Sequence, residues 1–112
     1  MTRSPQLRIN DIVRASHKLQ ELTQDRSAFF DSEILQDAAA YNILIIGEAC
    51  NAFSDQFKEE LSSIPWTAIR GMRNLLAHEY FVIDVNILFH TASVEIPKLV
   101  EQLLSSDLSG SD

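Results

Sequence analysis

The segment Pro65–Tyr80 reads P-W-T-A-I-R-G-M-R-N-L-L-A-H-E-Y and holds the residues best suited to chemistry. Arg70, Arg73, Asn74, His78, Glu79 and Tyr80 fall within eleven positions. Arginine presents a fixed fork of donors that fits phosphate oxygens. Histidine takes or gives a proton near neutral pH. Asparagine hydrogen-bonds a phosphate or orients a neighbour. Together these groups suffice to cut RNA without a metal. A base removes the ribose 2′-hydroxyl proton, the oxygen attacks the adjacent phosphate, and a cation stabilises the charge that develops. The spacing adds a constraint. Arg73 and His78 are five residues apart, about 140° around a regular helix. Either the helix ends before His78, or a second copy of the chain completes the site, or both.

Helices must position these groups. The chain has 112 residues, enough for one domain, with 46% hydrophobic and 22% charged residues. Three Gly and three Pro are too few for a turn-rich β-sandwich or barrel. One Cys excludes a disulfide framework and a cysteine-based zinc site. No apolar run reaches the ~18 residues of a membrane span, and residues 1–5 lack the apolar segment of a signal peptide. A cytoplasmic protein is expected. The net charge of −7 argues against non-specific duplex DNA binding, although five of the nine cations (Arg3, Arg8, Arg14, Lys18, Arg26) lie in the first quarter.

Four amphipathic segments are expected to form an all-α, up-and-down bundle of four to five helices. The first ends at Leu22 and starts either at Ser4 with Pro5 in its first turn or at a cap on Asn10. The second starts after Asp31 or Ser32 and runs to about Phe57. Gly47 inside it suggests close helix–helix approach. The third starts at Pro65, with Ser63 a candidate cap, and ends near His78–Tyr80. The fourth is capped by Asp84 and kinked by Pro97 opposite Ser93. The domain is expected over 1–104, with 105–112 a frayed tail. Glu48 lies among apolar neighbours, where a buried carboxylate needs a partner; it is either paired with Arg70 or Arg73 or solvated on a turn of the helix. Cys50 reads as a small core residue. Trp66 reads as core or as a dimer anchor. His17 and His90 are isolated, with no metal-ligand spacing, and no phosphate-binding glycine loop is present.

R-N-L-L-A-H-E-Y, together with the flanking Tyr41–Ala49, Ile64–Trp66, Ile69–Asn74, Asp84 and Pro97–Leu99, resembles the Arg-X4–6-His-X-Tyr signature and context of HepT-like toxins in the HEPN superfamily. The resemblance covers about residues 8 to 104. It implies a HEPN-type bundle that forms a homodimer, open to higher assembly, with two copies of Arg73 and His78 in one composite cleft. It implies a metal-independent endoribonuclease without a cofactor, the toxin of a type VII toxin–antitoxin system. Arg73 would stabilise the phosphate, His78 would be general base or acid, and Asn74, Glu48 and Arg70 would support them. Tyr80 would take AMP from a cognate minimal nucleotidyltransferase antitoxin, adding charge and bulk beside the cleft. The alternative is a non-catalytic helical partner that delivers a substrate to a nucleotidyltransferase.

Overall fold

The computed structural model describes residues 4–106, and every regular element among them is helical. Helix α1 spans Pro5–Leu22, α2 Arg26–Asp31, α3 Glu33–Asn51, α4 Asp55–Glu60 and α5 Trp66–His78. A short 3-10 turn, Tyr80–Val82, leads into α6 (Val85–His90). A π-helical segment, Thr91–Glu95, joins α6 to α7 (Ile96–Ser105) without leaving helical backbone. Among the described residues, no helix is long and apolar enough to cross a membrane.

Helix α3 is the centre of the bundle. It packs against α1 on one side and α5 on the other, while the α6–α7 rod lies against α1 and α3. Its neighbours bury Ile43 and Ile46, together with Ile12 and Leu19 of α1 and Leu99 and Leu103 of α7. Each such aliphatic side chain contributes roughly 1.5–3 kcal/mol by leaving water. Cys50 is 1% exposed in this core, and burial raises its thiol pKa to about 12, with nearby Lys58 opposing. It is therefore a packing residue, not a nucleophile.

The ends of the helices follow local chemistry. Ser4 caps α1 by accepting from the Leu7 N–H at 3.2 Å, and Pro5 occupies the first turn, so α1 is one helix and Asn10 lies inside it. Ser32 caps α3 through the Leu35 N–H. Asp84 caps α6 through the Asn86 N–H at 2.7 Å.

Three details differ from expectation. The second long helix stops at Asn51, not Phe57. Ser54 accepts from the Phe57 N–H at 3.1 Å and restarts the chain as α4, and this turn lets Phe53 and Phe57 stack at 4.2 Å between ring centres. Ser63 does not cap α5, which begins beside Pro65 with no side-chain cap; the Ser63 carbonyl instead accepts from Gln102. Helix α2 is additional, capped by Asp25 and anchored by fully buried Phe29. The Pro97 break takes the form of the wider π turn, in which the Ile96 N–H reaches back to Thr91 O. The Ser93 hydroxyl donates to Phe89 O within it, at 2.7 Å. At the C-terminal end α7 continues through Ser105, and the remainder of the expected tail, 107–112, lies outside the described residues.

Candidate active site on helix α5

Helix α5 packs against α3 and carries the polar cluster around that contact and at its C-terminal end. Trp66 fixes its start. The indole Nε1–H donates to the carbonyls of Lys58 and Leu61, both at 3.1 Å, and the ring meets Phe53 and Phe57 edge-on. Trp66 is thus held by the loop before α5 and by the aromatic end of the core.

Arg73 sits where α5 comes closest to α3. A Cβ placed on Gly47 would lie 2.7 Å from Arg73 Cβ and 3.1 Å from its Cγ. The close approach expected from Gly47 is therefore real, and it is made at Arg73 itself. One turn of α3 presents Glu48 beside that contact. Arg73 Nη2 donates to Glu48 Oε2 at 2.8 Å and Nε to the same oxygen at 3.1 Å, while Nη1 donates to Asn74 Oδ1 at 3.0 Å. The guanidinium is held from two sides, and the outer hydrogens of Nη1 and Nη2 remain for an anion. Glu48 is not buried. Its side chain is 53% exposed and that of Arg73 only 25%. The pair is a half-solvated clamp that sets orientation more than stability.

Arg70 lies one turn earlier and points elsewhere in its bonding: its Nε donates to Asn51 Oδ1 at 3.2 Å. His78 is the last residue of α5 and is exposed. The helix is regular up to this point, so Arg73 and His78 stay about 140° apart on its surface. Asn74, four residues before His78, shares its side of the helix. Arg73, Asn74 and Glu48 are thus brought together, with Arg70 and His78 on either side along the helix.

Tyr80 follows in the 3-10 turn. Its hydroxyl donates to Asp37 Oδ1 of α3, and its ring meets Phe81 at 5.5 Å. That hydrogen bond, with desolvation and the charges of Asp37 and Glu33 behind it, raises the phenol from 10.0 to about 12. The neutral phenol is the form the fold favours. The stability it contributes is present in full below 10.0 and is lost as pH rises through about 12. Asp37→Asn, in a Tyr41→Phe background, is expected to bring Tyr80 ionisation back toward 10.0. Tyrosinate absorbance against pH reads this directly, and an unmoved titration would show that Asp37 does not hold the hydroxyl. Asp37 and Asn51 were not foreseen in the sequence. Their partners lie 43 and 19 residues away, beyond any local pattern.

An all-α bundle that carries Arg73, Asn74 and His78 on one helix, with Tyr80 in the turn after it, defines a small helical domain with an arginine-centred polar site. Residues 12–105 match the family model "Ribonuclease HepT-like", and the chain belongs to that family. It is 34% identical over 106 residues to a Methanocaldococcus jannaschii protein named "Gamma-glutamylcyclotransferase and putative RNase", covering 93% of this chain but 48% of that one. The chain thus spans about half the length of that relative. It is 34% identical over 101 residues to "Probable ribonuclease HepT" of Thermococcus cleftensis, covering 88% of this chain and 92% of the relative. It is 39% identical over 75 residues to a "Putative RNase" of Caldanaerobacter subterraneus, covering 67% of each. No solved structure matches the chain.

Proposed function

We propose that this chain is the toxin of a type VII toxin–antitoxin pair, a metal-independent endoribonuclease that works in the cytoplasm as a homodimer. The observation that carries the reading is the clamped Arg73. Glu48 and Asn74 fix its guanidinium while leaving donors outward, as stabilising a pentacoordinate phosphate requires. His78 moves the 2′-hydroxyl or leaving-group proton. Because α5 stays regular through His78, a composite cleft with Arg73 and His78 from opposite protomers accounts for the spacing.

An apolar patch next to Tyr80 supports a second copy. Ile34 and Tyr41 are 80% and 63% exposed and flank Asp37 on one face of α3; Phe81, 97% exposed, lies against Tyr80. Tyr80 is the acceptor for AMP from a cognate minimal nucleotidyltransferase, and its half-exposed position supports that role. The phosphate added there carries negative charge beside the cleft and opposes RNA entry.

The test is cleavage of mixed RNA by unmodified protein in excess EDTA, beside His78→Ala. Wild type is expected to leave 2′,3′-cyclic phosphate ends, with His78→Ala slower by roughly 10²–10⁴-fold. Equal rates would remove His78 from the chemistry and sink this assignment, and no cleavage by either, with the dimer intact and Tyr80 verified unmodified, would move it to a non-catalytic partner of the nucleotidyltransferase.

A further inference from the structure

The cations of the first quarter of the chain have no part in the Arg73 site, yet the fold places three of them beside it. Arg8, Arg14 and Lys18 of α1 line a cavity of about 320 Å³ between α1 and α3. Arg14 and Lys18, four residues apart, share one side of the helix, and Arg8 borders the cavity from about 120° away from Arg14 around it. The opposite wall includes Asn42 and Glu48. Glu48 is also the clamp on Arg73, so the cleft opens against the candidate active site itself.

Two of the three cations in the cleft are not used up internally. Neither Arg8 nor Lys18 makes an ion pair or side-chain hydrogen bond among the described residues. Arg14 reaches Asp11 only at 3.6 Å, with its side chain 71% exposed. Asn42 is 6% exposed; its amide nitrogen donates to Ala38 O at 2.8 Å, but its carbonyl oxygen has no partner. A buried acceptor without a donor is uncommon. The cleft thus offers cations at its rim, above a buried acceptor that lacks a donor. A phosphodiester backbone supplies the complementary charge. On a chain of net charge −7, such a local cationic strip is also where an RNA strand approaches with least repulsion.

We infer that the α1–α3 cleft is a second phosphate site, in which Arg8, Arg14 and Lys18 hold the RNA backbone next to the scissile phosphate at Arg73. This rests on the ribonuclease reading and adds to it the path of the strand. Asp11 and Glu48 limit the site to backbone contact, since their carboxylates oppose deeper entry of an anion.

Binding of a single-stranded RNA to His78→Ala protein, measured between about 50 and 200 mM salt, tests this. Arg8→Gln/Arg14→Gln/Lys18→Gln in the same background is expected to weaken binding and to lower the slope of log affinity against log salt by about 2, near 0.7 per lost phosphate contact. Arg8→Lys/Arg14→Lys is expected to keep the slope, because charge and not shape sets it. Affinity and slope unchanged in the Gln variant overturn the α1–α3 site alone. Absence of RNA binding in every form, with helicity and melting intact, overturns the ribonuclease reading and this site with it.

Discussion

Mixing Arg73→Ala protein with His78→Ala protein, each inactive alone, is expected to restore ribonuclease activity to roughly a quarter of the wild-type level. The reasoning follows from α5. The helix is regular from Trp66 to His78, so one protomer aims Arg73 and His78 about 140° apart. In a composite cleft each reacting pair takes Arg73 from one protomer and His78 from its partner. Random exchange makes about half of the dimers mixed, and each mixed dimer regains one of its two pairs. The measurement is the cleavage rate against mixing ratio, with the mixed species counted by native mass spectrometry. A population of mixed dimers without any recovered activity would place both groups of a pair on the same protomer, and the regular helix would then have to deform on binding RNA.

The second large effect is expected at Gly47. In Gly47→Ala the new methyl would meet Arg73 Cβ at 2.7 Å. Neither Cβ can swing away, since both are fixed by their backbones, so α3 and α5 must separate. Overpacking of this kind costs roughly 1–3 kcal/mol. The gain from replacing a mid-helix glycine is only about 1 kcal/mol. The expected balance is a loss of about 1 kcal/mol, a fall in Tm of roughly 4–8 °C for a domain of this size. Catalysis is expected to suffer more. A shift of about 1 Å in a positioned group can cost on the order of 10²-fold in rate. Melting by circular dichroism and cleavage at saturating RNA separate the two. Gly71→Ala is the control, because a Cβ there meets nothing within 4 Å. Equal behaviour of the two alanine variants would show that the Gly47 contact does not position Arg73.

Much of this was legible in the sequence, and the reason is distance along the chain. Arg73, Asn74, His78 and Tyr80 lie on one short run, so their types and spacing were visible together. The long helices were visible because each repeats its apolar face over several turns. Gly47 and Glu48 stood out as exceptions within such a repeat. The choice between Arg70 and Arg73 as partner of Glu48 needed the fold, since α5 presents both within one turn. Helix α2 has only six residues, too few to show a period, and is held mainly by Phe29 and by Gln36 bonding back to the Phe29 and Phe30 carbonyls. The stop at Asn51 was hidden because Phe53 and Phe57 continue the apolar rhythm across a break that Ser54 creates.

The π turn at Thr91–Glu95 amounts to one surplus residue threaded into an otherwise ordinary rod. Each helical residue advances the direction of its successors by about 100°. The wider turn absorbs that surplus with a smaller step per residue, so α7 keeps nearly the phase of α6 and Ile96, Leu99 and Leu103 arrive on the core side. Loss of a single residue from this segment would let the turn tighten to an ordinary α turn with those side chains still facing the core. The segment between Phe89 and Pro97 therefore tolerates a change of chain length that the regular turns on either side would not.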